Sequence, residues 1–138
     1  MKKNLFLITL IVLLTVLASC SPADVAVEKA VLSVGDNSYS QSELETLGTA
    51  SADYTNKDGE TTTYTGTPLA DLLTDAGLTA SGTLVFTAAD GFEADMPLED
   101  ALACVNCIVA FDDGSLRMVM PDFSSKLQVK DVIEISLN

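Results

Sequence analysis

Hydrophobic positions fall into two regimes along the chain. Residues 5–17 form an almost unbroken apolar run, preceded by Lys2 and Lys3 and followed by Ala18, Ser19 and Cys20. Beyond it, apolar residues come in short alternating or amphipathic stretches, divided by glycine, proline, asparagine and aspartate. A charged start, a short apolar core and a small-residue exit are the parts of a secretory signal peptide. The run is too short to span a bilayer comfortably as a permanent helix.

The later stretches predict short elements. Residues 29–34 read as a strand that stops at Gly35-Asp36-Asn37. Ser40 with Glu43 three residues on makes a capping box, opening a helix that ends at Gly48. Residues 49–55 and 60–65 are threonine-rich strands, joined as a hairpin by Asn56-Lys57-Asp58-Gly59. Thr67 and Pro68 are expected as N-cap and first helical residue of a helix over 69–76. That helix carries Leu69, Leu72, Leu73 and Ala76 on one face. Gly77 ends it and Leu78 packs back on its last turn. Residues 83–88 and 92–96 are strands about Asp90-Gly91, and Pro97 starts a helix through Leu102. Residues 107–111 and 116–120 pair around Asp112-Asp113-Gly114, and 132–137 closes the sheet. With no internal repeat, this is one α+β domain of mixed strands and two or three short helices over residues 29–138.

The end of the apolar run sharpens its meaning. Leu17-Ala18-Ser19-Cys20 resembles the lipobox of bacterial lipoproteins, in which the peptide is cut before the cysteine and that cysteine is lipid-modified. The resemblance implies a signal peptide over residues 1–19 and a lipidated Cys20 with a tether through residue 28. The exported domain would then be lipid-anchored on the outer side of the membrane, in the cell envelope. The whole chain has 138 residues, 20 acidic side chains and 7 basic ones, giving −13. Cleavage before Cys20 removes two of the cations and none of the acids, so the exported part carries −15.

That charge excludes nucleic acid as a partner, because phosphate backbones are bound by clustered Lys and Arg. The chain has no histidine, so Ser-His-Asp and Cys-His catalysis cannot be assembled within it. It has no tryptophan either, which leaves little material for a sugar-stacking platform. Neighbouring carboxylates occur at Asp53, Asp58 and Glu60, at Glu93 and Asp95, at Glu99 and Asp100, and at Asp112 and Asp113. None has the spacing of a calcium loop, and they read as a solvated anionic surface.

The order and punctuation of the elements resemble the oxidoreductase molybdopterin-binding domain, the fold of sulfite oxidase and of the periplasmic methionine sulfoxide reductase. The residues that carry the resemblance begin with the run from Tyr64-Thr65-Gly66-Thr67-Pro68-Leu69 to Leu73, then Ala76-Gly77-Leu78 and Asp90-Gly91-Phe92. Pro97-Leu98-Glu99-Asp100-Ala101-Leu102 follows, then Asp113 through Arg117 to Pro121, and Val129-Lys130-Asp131-Val132 to Ile135. The resemblance implies a mixed β-sheet or barrel-like sandwich with short helices, and the molybdopterin cofactor. It places Arg117 and Lys130 where family members hold cofactor-contacting cations. The plainer reading makes each a surface charge paired beside a strand. It also calls for a cysteine thiolate upstream of the Tyr-x-Gly-x-Pro-Leu run to bind molybdenum, since soft sulfur suits that centre. No cysteine lies between Cys20 and Cys104, and residues 48–57 offer Thr, Ser, Ala, Asp and Asn instead. That stretch is where a pocket for another ligand is expected.

Cys104-Val105-Asn106-Cys107 has the C-x-x-C spacing in an exported context, where thiols oxidise. A structural disulfide, an inert pair and a redox-active pair are the three readings. Cys104 follows the helix that starts at Pro97, and a helix C-terminus disfavours a thiolate. Two thiols are only half a zinc site.

The leading expectation is therefore a cell-envelope lipoprotein with a stand-alone molybdopterin-binding-like domain. It would act as a non-catalytic binding or accessory module for a small ligand or an envelope protein, with no metal and no cofactor. The alternatives are a molybdopterin-dependent oxidoreductase with an atypical site at Arg117 and Lys130, and a thiol-redox protein using Cys104 and Cys107.

Overall fold

The computed structural model describes residues 28–138; residues 1–27, with the expected signal segment and Cys20, lie outside the described residues. The elements run β1 (Leu32–Val34), β2 (Asn37–Tyr39), α1 (Gln41–Leu47), β3 (Ala50–Thr55), β4 (Thr61–Pro68), α2 (Leu69–Asp75), β5 (Thr83–Ala88), β6 (Glu93–Pro97), α3 (Leu98–Ala103), β7 (Ile108–Asp112), β8 (Ser115–Val119), a 3₁₀ turn (Ser125–Leu127) and β9 (Val132–Leu137). They build two sheets. One has the order β2-β1-β9-β5-β6, and the other β3-β4-β7-β8. The first is mixed because β1 and β9 run parallel, and the second is antiparallel throughout.

Alternation decides which face of each strand is buried. Leu84, Phe86 and Ala88 of β5, Val34 of β1 and Ile135 of β9 point into one core from the five-stranded sheet. Val109 and Met118 enter it from the four-stranded sheet, and Leu69, Leu72 and Leu73 from α2. The opposite face of the four-stranded sheet carries a smaller cluster of Ala52, Ile108, Ala110 and Val119, with Tyr54 and Tyr64 packed on it. That second face positions the candidate site.

Local chemistry sets the ends of the helices. Ser40 accepts from the Glu43 backbone and Glu43 Oε2 accepts from the Ser40 backbone at 2.8 Å, the reciprocal cap read from the sequence. These hydrogen bonds to Ser40 hold the Glu43 carboxyl below its usual range. Gly77 ends α2 at φ +76, and Leu78 N–H reaches back to the Leu73 carbonyl at 2.9 Å.

The first strand ends at Val34 in the expected turn at Gly35 and Asp36, with Gly35 at φ +56, but Asn37 already belongs to a further strand, β2, paired back opposite Val34. Two expectations about helix starts are corrected. Thr67 does not cap α2. It is fully buried in β4 and its hydroxyl donates across to the Leu44 carbonyl at 2.8 Å, closing the end of α1. Pro68 consequently stands at the N-cap, and the helix begins at Leu69. At α3, Pro97 likewise sits at the N-cap, one place before the helix it was expected to open.

β2 is tied to α2 by Tyr39, whose hydroxyl donates to Asp75 Oδ2 at 2.7 Å. Burial first, then the Asp75 hydrogen bond and charge, push the phenol from 10.0 up to about 12. A folded-state pKa above the unfolded one contributes stability that is complete below pH 10 and is lost as pH rises to about 12. The melting temperature should therefore fall across that window, and Tyr39→Phe should flatten the fall. An identical alkaline profile in the variant would contradict the assignment.

Candidate functional site

The hairpin β3–β4 forms one wall of the site. Its turn is fixed by Asn56, whose Oδ1 accepts from the backbones of Asp58 at 2.9 Å and Glu60 at 3.0 Å, with Gly59 at φ +83. The register pairs Ala52 with Tyr64 and Tyr54 with Thr62. Directly paired residues share a sheet face, so Tyr54, Thr62 and Tyr64 all look to the same side. Thr55 bonds Thr61, and Ser51 bonds Thr65, on the other.

The segment 121–130 is the facing wall, and Gln128 holds it. Its amide accepts from Met120 N–H at 2.9 Å and donates to the Met120 carbonyl at 2.6 Å, both partners being buried. The side chain thus replaces a missing strand neighbour.

Between these walls lies a cleft of about 670 Å³, inside the range of about 300–1,000 Å³ usual for small-molecule sites. Arg117 and Lys130 both line it, and the two residues form an antiparallel bridge next to the Met118–Val129 backbone bond of 2.8 Å. Lys57 joins them from the hairpin turn. Three of the chain's seven cations therefore line one cleft, in a molecule of charge −13. Asp58 and Glu60 are the carboxylates that line it.

Arg117 is more than the exposed ion pair that the plainer reading expects. It reaches across β7 from β8 and donates through Nη1 to the Tyr64 hydroxyl at 2.7 Å. Its guanidinium also lies 4.6 Å from the Tyr64 ring centroid. Asp112 pairs with it at 3.3 Å, yet the arginine side chain is only 8% exposed. Its Nε is buried with no hydrogen-bond partner among the described residues. An orphaned donor and a like charge directly across the bridge both cost stability. Lys130 is exposed and forms no ion pair among the described residues.

Cys104 and Cys107 are joined as a disulfide, with Cα atoms 5.5 Å apart. Cys104 caps the C-terminal end of α3 and Cys107 is buried. Cys104 borders a separate groove, of which Phe123 is also a part; the same Phe123 lines the cleft. Of the acidic pairs, Asp53 accepts from the Thr63 hydroxyl, Glu60 from Asn56 and Asp112 from Arg117. No cluster of three metal-ligating side chains exists among the described residues.

This donor set fits an anion but not molybdenum. The stretch from which the resemblance expects a thiolate is β3 and its turn, and there the cleft is lined by Tyr54, Thr55, Asn56 and Lys57. Both described cysteines are committed to the disulfide. Lys57, Tyr54 and Gln128 were not singled out from the sequence. The alternation of Tyr54, Thr62 and Tyr64 about a four-residue turn was the available signal for the aromatic wall. Nothing local marked Gln128.

A family model described as the oxidoreductase molybdopterin binding domain matches residues 23–138. No curated protein sequence matches the chain. Among solved structures, the sulfane dehydrogenase SoxCD from Paracoccus pantotrophus is similar, with a TM-score of 0.61 at 17% identity over 78% of this chain. That likeness speaks to the fold, and the chain spans 37% of the SoxCD chain it matches.

Proposed function

The chain belongs to the oxidoreductase molybdopterin binding domain family, and from that premise we propose that it is a non-catalytic binding or accessory module of the cell envelope. One observation carries the proposal: the cleft has three cations, Arg117, Lys130 and Lys57, and has Tyr54, Thr55 and Asn56 on the stretch where the family's thiolate is expected. With both described cysteines in the disulfide, no described side chain there offers the soft sulfur that the family's molybdenum takes. Export and anchoring rest on Lys2, Lys3, the apolar run and Leu17-Ala18-Ser19-Cys20.

The test is elemental and pterin analysis of the full chain made in a host that assembles the molybdenum cofactor. The expected result is molybdenum far below one atom per chain. About one atom per chain, with pterin, would overturn the proposal. The convergence of Arg117 and Lys130 favours one second reading, an atypical site for the organic cofactor. Pterin recovered in stoichiometric amount without metal is the result that would select it.

A further inference from the structure

Four large hydrophobic side chains are exposed among the described residues: Val31 at 38%, Phe92 at 48%, Ile133 at 46% and Val105 at 90%. Three of them share one end of the five-stranded sheet. β1 and β9 run parallel and both begin there. β5 ends there, with Ala88 opposite Val132 and Ala89 N–H bonded to the Asp131 carbonyl at 2.9 Å. Phe92 sits in the turn just after Ala89, and its carbonyl accepts from Ala88 N–H at 2.8 Å. A shallow cleft at this end is lined by Val31, Leu116, Val132 and Ile133 together with Lys29 and Gly114. Apolar residues that cluster at one place mark a contact surface, whereas scattered ones do not.

Lys29 is also where the described chain enters the domain, and Cys20 lies only nine residues upstream. Nine residues span at most about 30 Å when fully extended. A lipid on Cys20 would therefore keep this end of the domain, where the chain enters it, within that distance of the bilayer. We infer that the collar formed by Val31, Phe92 and Ile133 is a membrane-contact surface, seated in the interfacial layer of the bilayer that carries the anchor. The inference rests on the lipid-anchored reading above and adds the orientation of the domain. The charges at this end include Lys29 and the carboxylates Asp90, Asp113 and Asp131, a net negative rim, so the apolar side chains drive the contact and salt, by screening repulsion from anionic lipid, strengthens it.

The chain has no tryptophan, so an introduced one reports its own surroundings. Phe92→Trp and Val105→Trp are made in the full lipidated chain and reconstituted into vesicles of phosphatidylethanolamine and phosphatidylglycerol. Some of the phosphatidylcholine added as tracer carries a doxyl quencher near the head group. Val105 precedes β7 while Gly114, which lines the cleft at the collar, follows it, so Val105 lies a strand length of about 17 Å from that cleft. The expected result is a blue-shifted Phe92→Trp emission that loses about half its intensity to the quencher, as for a side chain buried in the interface, and no less at high salt than at low. Val105→Trp stays unquenched. Equal quenching at both sites, or none at Phe92→Trp in vesicle-bound protein, overturns the membrane contact and leaves the anchor standing. A chain whose mass shows no lipid at Cys20 and which does not partition with vesicles overturns the anchor and this inference with it.

Discussion

Gly66→Ala is expected to cost about 3 kcal/mol or more of stability, the upper end for overpacking a core. A β-carbon at this position would stand 2.1 Å from the Val109 carbonyl oxygen and 2.4 Å from Ala110 Cα, both of them backbone atoms of β7. Backbone in a paired strand cannot swing aside as a flexible side chain does, so β4 and β7 must separate. Glycine within a strand marks such a close approach. The row Gly66–Ala110–Arg117 crosses three strands, so the same separation would shift the arginine away from Tyr64. For a domain of this size the melting temperature should fall by about 12 °C. Gly114→Ala is the control: its φ is +87 and nothing lies within 4 Å of the added carbon, so only the backbone cost of about 1 kcal/mol applies. Equal losses in the two variants would show that contact with β7 is not the reason for Gly66.

Gln128→Leu is expected to be nearly as damaging, at about 2–4 kcal/mol, since it leaves buried backbone donors and acceptors unpaired. Leucine keeps the volume but neither hydrogen bond, and Met120 is wholly buried, out of reach of bulk solvent. The loss should be local first. Phe123 and Ser125, which line the cleft, belong to the segment that Gln128 clamps to the end of β8. Limited proteolysis should therefore cut between residues 121 and 127 in the variant before the rest of the domain opens. A lower denaturation midpoint with unchanged cleavage sites would mean that the clamp does not define the cleft wall.

These two residues differ in how far the sequence announced them. Gly66 belongs to the Tyr-x-Gly-x-Pro-Leu run, and its role follows once β4 is paired on both sides. Gln128 looks like any polar residue near a turn; only the fold brings Met120 beside it. The same division holds elsewhere. Ser40 with Glu43, Asn56 through Gly59, and Gly77 act within a few residues of themselves, and each sits where the sequence places it. Thr67 was misassigned because its partner is the Leu44 carbonyl, twenty-three residues away. β2 was missed because Asn37 and Ser38 are polar and exposed, so no alternation betrays a strand held mainly by backbone pairing and by Tyr39. At the site, Arg117 and Lys130 were legible as residue types, whereas the burial of Arg117 and its bond to Tyr64, fifty-three residues away, were not.

The family fold here carries a cleft with the cations for an anion and without the sulfur that molybdenum takes in the family. Arg117 points to a ligand. A buried guanidinium with an unpartnered Nε, facing a second cation, is poorly explained as a stabilising device, because replacing a buried ion pair by an apolar side chain of similar size is often neutral.

The most direct test is native mass spectrometry of the full chain purified from cells that make the molybdenum cofactor. The predicted spectrum shows the chain with its Cys104–Cys107 disulfide and any lipid on Cys20, with no adduct carrying the isotope pattern of molybdenum. A stoichiometric molybdenum-bearing adduct that is lost in Arg117→Met would contradict the account, because the cleft would then hold the metal cofactor without a cysteine ligand.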